Sequence, residues 1–236
     1  MKFAYLQKLT MVDFPGTISA TVFTIGCNFR CPFCHNPELV VPPLAEGIYE
    51  EKDVLDFLKK RKGMLKGLCI TGGEPTLHGK SLASFMEKVK SLGYKLKLDT
   101  NGSNPDMLNG YIEEGLVDYV AMDIKTSRQN YYRAIGLSEE EGRNMVKAVS
   151  ESLDILMSSD IPFELRTTAV PTYVDEEDFY DIAQWIKGAP YYAIQRYHKD
   201  KVLDGSASPD DTYSREALEK FADIVKPHVG KVEVRW

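Results

Sequence analysis

Short apolar segments alternate along this chain with longer amphipathic ones, and the alternation predicts strands followed by helices. The apolar segments predict strands at residues 20–26, 67–71, 94–98, 119–124, 163–170 and 191–197, with a last short strand at 231–235. Apolar residues at helical spacing predict helices at residues 50–62, 80–92, 105–114, 139–158, 175–187 and 214–225. Residues 1–19 predict a short strand and a turn ahead of this repeating part.

The strand–helix unit occurs about six times, and such units imply right-handed crossovers and a parallel sheet. A complete eight-unit barrel typically needs about 250 residues. The predicted fold class is therefore α/β, as an open, partial (β/α)6 barrel of the TIM type with outer helices. We expect one domain over residues 1–236, with residues 1–19 as its N-terminal extension.

Residues suited to chemistry stand at the carboxyl ends of these predicted strands, where sheets of this kind carry their sites. The set, in strand order, is Cys27 to Cys34, then Gly72, Gly73 and Glu74, then Asp99 and Thr100, then Asp123 and Lys125, then Arg166 within the fifth strand, then His198. Scattered structural residues would not follow this order, so one site is expected at this edge.

Three cysteines, Cys27, Cys31 and Cys34, lie on one loop with the spacing Cys-x3-Cys-x2-Cys, and the loop is expected to span residues 27–43. A disulfide would leave one of them unpaired. Zinc would need His35 as its fourth ligand, but His35 is adjacent to Cys34, which suits one tetrahedral centre poorly. The haem-attachment string Cys-x-x-Cys-His is also present, but that chemistry normally follows export.

An iron–sulfur cluster fits these cysteines best, although clusters of this kind normally take four thiolates. The fourth cysteine, Cys69, stands inside an apolar strand and is interpreted as a buried small hydrophobe. Three ligands would leave one iron open to bind and reduce another molecule.

Composition and the first residues of the chain limit the expected binding partners and the expected cellular compartment. The net charge of −6 does not favour nucleic acid, and no apolar stretch reaches the length of a membrane span. The first residues lack the apolar region of a signal peptide, so a cytoplasmic location is expected.

The cysteine spacing, with Phe33 before the third cysteine, resembles the radical S-adenosylmethionine (SAM) enzymes. The resemblance implies a [4Fe-4S] cluster on Cys27, Cys31 and Cys34 whose open iron binds SAM. The string Gly72-Gly73-Glu74-Pro75 resembles the superfamily segment that binds the SAM amino group, and Phe33 is counted with the SAM-binding residues. Glycines there would let the backbone approach a ligand, and a carboxylate suits an ammonium.

More narrowly, four strings resemble the activating enzymes of glycyl-radical enzymes. They are Val12-Asp13-Phe14-Pro15-Gly16, in which Phe14 departs from the usual glycine, Cys34-His35-Asn36-Pro37, Asp99-Thr100-Asn101-Gly102 and Met122-Asp123-Ile124-Lys125. The resemblance implies that Asp13 faces the substrate loop, and that Asp123, Lys125, Arg166 and His198 contact SAM. It also implies a monovalent cation held by Asp99, Thr100 and Asp123.

The function expected from this resemblance is a radical SAM activase that removes a Cα hydrogen from a glycine of a partner enzyme. Anaerobic ribonucleoside-triphosphate reductase is the expected partner, and pyruvate formate-lyase is the alternative. A low-potential donor such as flavodoxin or ferredoxin would supply the electron. Two other readings are a small-molecule enzyme such as a deazaguanine synthase, and an iron–sulfur electron carrier or redox sensor that does not cleave SAM.

Overall fold

The computed structural model describes residues 1–40, 48–199, 202–205 and 212–236. Residues 41–43 of the expected cysteine loop lie outside this part of the chain. The strands are β1 Lys2–Phe3, β2 Tyr5–Thr10, β3 Ser19–Thr24, β4 Tyr49–Glu50, β5 Gly67–Gly72, β6 Lys95–Thr100, β7 Tyr119–Asp123, β8 Phe163–Ala169, β9 Tyr192–Arg196 and β10 Val232–Arg235. The α-helices are α1 Pro37–Val40, α2 Glu51–Lys60, α3 Gly79–Ser91, α4 Pro105–Glu113, α5 Tyr131–Ile135, α6 Glu139–Ser158, α7 Glu176–Trp185 and α8 Arg215–Val225.

The main sheet has the order β10-β9-β8-β7-β6-β5-β3-β2. Strands β3 and β5 to β10 are parallel, and only the edge strand β2 runs antiparallel to its neighbour. Since β2 and β10 are the two ends of this order, the sheet is an open barrel, which confirms the predicted α/β fold. Strands β1 and β4 form a separate antiparallel pair.

The helices pack on the outside of the sheet through one apolar stripe each. In α3 the buried residues Leu82, Phe85, Met86 and Val89 recur at three- and four-residue spacing, which places them on one face. Helix α6 occupies the predicted residues, and it starts at a capping box in which Ser138 and Glu141 each bond the other's backbone amide.

Two differences from the expected elements affect the site. Strand β6 continues to Thr100, so Asp99 lies within the strand rather than after it. The five-residue helix α5 was not expected, because so short a segment carries too few residues to display a helical period. Among the helices described, none is long and apolar enough to cross a membrane.

Candidate active site at the carboxyl end of the sheet

A cavity of about 200 Å³ lies at the carboxyl ends of the parallel strands. It brings together most of the residues singled out in the sequence: Cys27, Cys31, Phe33, Cys34, Gly72, Gly73, Asp99, Thr100, Asp123, Lys125 and Arg166. Phe29, His35, Asn36, Val40, Thr71, Asn101 and Thr168 complete the lining. Residues from the ends of separate strands therefore line one cavity, which is the candidate site.

Backbone hydrogen bonds hold the cysteine loop over this edge of the sheet. The amide of Gly26 donates to the carbonyl of Leu39 at 2.7 Å, and the amide of Arg30 donates to the carbonyl of Ile135 at 2.8 Å. The Arg30 guanidinium also donates to the Cys27 carbonyl at 2.7 Å. Helix α5, which ends at Ile135, thus anchors the centre of the loop.

Burial keeps the three thiols of the loop protonated when no metal is bound. All are unbridged, and burial raises the pKa of Cys27 to about 11 and that of Cys31 to about 12. Burial also raises the pKa of Cys34. Lys125 acts in the opposite direction on all three, and the Phe29 amide donates to Cys27 Sγ at 3.4 Å. Buried thiols of this kind ionise when a metal replaces the proton.

The donor set fits a cluster better than a single ion. Among the described residues, no three His, Cys, Asp or Glu side chains converge closely enough to hold one metal ion. The zinc alternative with His35 is therefore not supported, and the His35 ring lies beside Tyr197 at 5.9 Å instead. A [4Fe-4S] cluster binds each thiolate at a different iron and does not need them to meet at one point.

The two glycines after β5 allow the cysteine loop to lie directly against the strand end. A Cβ atom on Gly73 would stand 1.9 Å from the carbonyl oxygen of Gly26, and one on Gly72 would stand 2.3 Å from the amide of Thr24. Gly72 also has φ 129°, which L side chains rarely adopt. The amide of Glu74 then donates to the Gly26 carbonyl at 2.8 Å. The glycine pair is thus required by the close approach of the loop.

Glu74 departs from its expected role, because its carboxylate is fully used inside the protein. One oxygen accepts from the Thr76 amide, the Thr76 hydroxyl and the Thr100 hydroxyl, at 3.0, 2.6 and 2.7 Å. The other accepts from the Asn101 amide at 2.7 Å. Burial raises the pKa of Glu74, and these four donors oppose the rise. The carboxylate therefore joins the ends of β5 and β6, and Glu74 does not line the cavity.

Asp123, Lys125 and Arg166 form a charged group on the cavity wall. Lys125 Nζ lies 2.8 Å from one oxygen of Asp123, and Arg166 Nε lies 2.9 Å from the other. Burial raises the pKa of Asp123, but Arg166 and Lys125 lower it more, to about 2. The carboxylate is therefore ionised, and the two cations are held at the cavity on either side of it.

The expected monovalent cation is not favoured by this arrangement. Asp99 already accepts from Arg166 at 3.2 Å and from Lys97 at 2.5 Å, and both oxygens of Asp123 are paired as well. The Thr100 hydroxyl donates to Glu74. The carboxylates are thus balanced by the protein's own cations, and a cation held by Asp99, Thr100 and Asp123 stays a prediction.

Three other expected residues lie outside the cavity. His198 is exposed and is not part of the lining. Cys69 is completely buried in β5, in agreement with its interpretation as a small apolar residue. Asp13 accepts from the Thr21 hydroxyl at 2.5 Å and lines a different cavity.

That second cavity has a volume of about 820 Å³ and is lined by residues at the amino ends of β7 to β10, among them Tyr119, Phe163, Tyr191 and Lys231. Its lining includes residues from both ends of the open sheet: Val12, Asp13 and Pro15 follow β2, and Glu233 and Arg235 belong to β10. Asp99 and Arg166 line both cavities and so form the wall between them.

Sequence reasoning missed the charged residues inside this larger cavity. Lys97 and Glu164 are almost fully buried, and Arg235 Nη2 lies 2.5 Å from Glu164. Lys97 stands two positions before Asp99, and Glu164 stands two positions before Arg166. Each therefore shares a strand face with an expected site residue. This spacing of two residues between charged side chains in one strand is the feature of the sequence that could have indicated them.

The model of the Radical SAM superfamily matches residues 21–186 of this chain. A putative glycyl-radical enzyme activating enzyme of Methanocaldococcus jannaschii is 31% identical over 98% of this chain and 94% of its own. The pyruvate formate-lyase-activating enzyme of Clostridium pasteurianum is 29% identical over 92% of this chain and 94% of its own.

A similar fold is found in coproporphyrinogen III oxidase from Escherichia coli, with a TM-score of 0.62 and 14% identity. The match covers 88% of this chain and 52% of that one. At this identity the likeness concerns the fold alone, and it agrees with the partial barrel described above.

Proposed function

Because this chain belongs to the radical SAM superfamily, we propose that it is an activating enzyme that generates a glycyl radical on a partner enzyme. The observation that carries this proposal is the pair of adjoining cavities. The smaller one collects three thiols, and the larger one shares Asp99 and Arg166 with it. Since the larger cavity is lined by residues of both edges of the sheet and by the amino ends of β7 to β9, a polypeptide can approach it without opening the barrel.

In this proposal the residues of the smaller cavity hold the cluster and SAM. Cys27, Cys31 and Cys34 would bind a [4Fe-4S] cluster. Bound there, the cluster supplies one-electron reduction of the SAM sulfonium, which gives a 5′-deoxyadenosyl radical able to take a glycine Cα hydrogen.

The other residues of this cavity bind and orient SAM. Lys125 and Arg166 present cations that suit the SAM carboxylate. The backbone at Gly72 and Gly73 can approach the SAM amino group because neither residue has a side chain. Phe33, whose ring lies 5.3 Å from that of Tyr173, closes one wall against water.

The larger cavity would receive the glycine-bearing segment of the partner. Asp13 lies at its lining, and its carboxylate is held by Thr21. The near full-length similarity to a putative glycyl-radical enzyme activating enzyme supports a protein substrate over a small molecule. Within this class we propose anaerobic ribonucleoside-triphosphate reductase as the partner, pyruvate formate-lyase as the alternative, and flavodoxin or ferredoxin as the electron donor.

The test is anaerobic reconstitution with iron and sulfide, followed by SAM and a reductant. We expect 5′-deoxyadenosine, and then a glycyl radical detected by electron paramagnetic resonance on the matching partner. A fully loaded cluster that does not cleave SAM would contradict radical SAM activity and leave an electron carrier. Cleavage without a radical on either candidate partner would favour a small-molecule substrate, such as that of a deazaguanine synthase.

A further inference from the structure

A line of seven charged side chains of alternating sign crosses the interior of the barrel. In order, it contains Lys125, Asp123, Arg166, Asp99, Lys97, Glu164 and Arg235. Its successive contacts measure 2.8, 2.9, 3.2, 2.5, 3.9 and 2.5 Å. The line begins at the cysteine cavity and ends in the larger cavity, and Lys97, Glu164 and Arg235 line only the larger one.

Lys97 and Glu164 are the most deeply buried members of this line. Lys97 is 1% exposed, and a buried ammonium is costly unless carboxylates compensate for its lost hydration. Its Nζ lies between the carboxylates of Asp99 and Glu164. Lys97 and Asp99 belong to β6, and Glu164 belongs to β8, the strand that carries Arg166. An apolar side chain would fill the same space without this cost.

Arg166 is the residue whose geometry depends on that charge. Its Nε faces Asp123 and its Nη1 faces Asp99, so two carboxylates fix the plane of the guanidinium. Within the described part of the chain, Nη2 has no recorded hydrogen-bond partner, and Arg166 lines the cysteine cavity. Without Lys97, Asp99 would have Arg166 as its only close cation and would draw the guanidinium away from Asp123.

We propose that Lys97 is a positioning residue that acts through Asp99 to hold Arg166 in place for the carboxylate of SAM. This rests on the proposed function only in taking SAM as the ligand. Lys97 itself does not line the cysteine cavity and touches no ligand there. Glu164, itself paired with Arg235, compensates the charge of Lys97 on the side away from Asp99.

The test is a double-mutant cycle of K97M and D99N in the cluster-loaded protein, with the dissociation constant of SAM as its readout. We expect K97M to weaken SAM binding about 10-fold, the lower end of the loss seen when the outer partner of a metal ligand is removed. In the D99N background, K97M should cause no further loss of SAM affinity, because the ion pair between Lys97 and Asp99 is already absent. If K97M weakened SAM binding as much in the D99N protein as in the wild type, the proposal would be overturned.

Two further measurements separate this proposal from a purely structural role. K90M removes another lysine that pairs with a carboxylate, Asp118 at 2.9 Å, and it should lower the melting temperature without changing SAM affinity. If K97M does not fold, the D99N protein and the double variant, which removes both charges of the pair, are compared instead. Equal affinities support the proposal, and weaker binding by the double variant overturns it.

The proposed function can fail separately. Wild-type protein that binds SAM but activates no partner would contradict the activase assignment and leave the cycle intact. Unchanged SAM affinity in K97M, beside active wild-type protein, would overturn the role of Lys97 alone.

Discussion

The two cavities of this barrel share a wall but are built in different ways. The smaller is formed by loops and strand ends, with three thiols, two glycines and main-chain groups close together. The larger is lined by side chains that alternate along the strands and by residues at the two open edges of the sheet. Asp99 and Arg166 belong to both.

This difference indicates where each kind of specificity resides. Local backbone geometry fixes the smaller cavity, as the contact of Gly73 with the Gly26 carbonyl illustrates. Long-range ion pairs fix the interior of the larger one, such as that of Glu164 with Arg235. We therefore expect substitutions in the smaller cavity to abolish cofactor binding. Substitutions in the larger cavity should change binding affinities only moderately.

Loss of one cluster ligand should have the largest effect. The variant C31A should retain almost no iron after anaerobic reconstitution, because two thiolates do not hold a [4Fe-4S] cluster securely. Iron and sulfide per chain are the measurement. The variant C69A is the matched control and should keep wild-type iron content, since Cys69 is buried in β5 away from the cavity. Iron loss in C69A would show that the ligands are misassigned.

The variant G73A tests the close approach of the cysteine loop. Its added methyl group would stand 1.9 Å from the Gly26 carbonyl oxygen, so the loop must move. Overpacking of this kind typically costs about 1–3 kcal/mol, so we expect SAM affinity to fall about 10- to 100-fold.

Helix α4 supplies the control for this variant. A Cβ on Gly110 meets nothing within 4 Å. The variant G110A should therefore leave SAM affinity unchanged and stabilise the protein by about 1 kcal/mol, as is usual for glycine to alanine inside a helix. SAM binding by G73A at the level of G110A would show that the loop contact is not required.

Low pH should reduce the stability of the folded protein by protonating Asp123, which pairs with Arg166 in the wall between the cavities. The pKa of Asp123 falls from 3.8 to about 2 on folding, because Arg166 and Lys125 outweigh the effect of burial. A lowered carboxyl pKa stabilises the fold above the unfolded value, and this contribution is lost as the pH falls from about 4 towards 2. The loss should be about 2 kcal/mol.

Denaturant unfolding of the cluster-free protein at several pH values measures this contribution. In D123N the decline between pH 4 and 2 should be smaller than in the wild type, whereas D106N, a variant of an exposed acid in α4, should keep the full decline. An identical decline in D123N would mean that the ion pairs of Asp123 do not stabilise the folded state.

The sequence was most informative where function depends on spacing. The cysteine loop, the glycine pair and the strand-end acids were all found, because motifs of adjacent residues also lie adjacent in space. The orientation of Glu74 could not be read in this way, since its four donors come partly from another strand. Motif spacing does not show which side of a strand end a carboxylate will face.

The interior charges were missed for a related reason. Lysine and glutamate in a strand are usually exposed, so Lys97 and Glu164 give no sign by themselves that they are buried. Their compensation depends on β6, β8 and β10 being brought together by the closing of the sheet. Ion-pair partners so far apart in the chain become evident only in the folded protein.

The smallest expected effect would separate the two cavities most directly. In D13N the side chain keeps its size and can still accept from Thr21, but the charge beside the larger cavity is removed. We expect the KM for the partner enzyme to rise about 10-fold, equivalent to about 1.4 kcal/mol, with a smaller change in the KM for SAM. The control is again D106N, which makes the same change on the outer side of the barrel and should alter neither constant. Equal rises in both constants for D13N would show that the cavities do not act separately, and that Asp13 affects the site through the common wall.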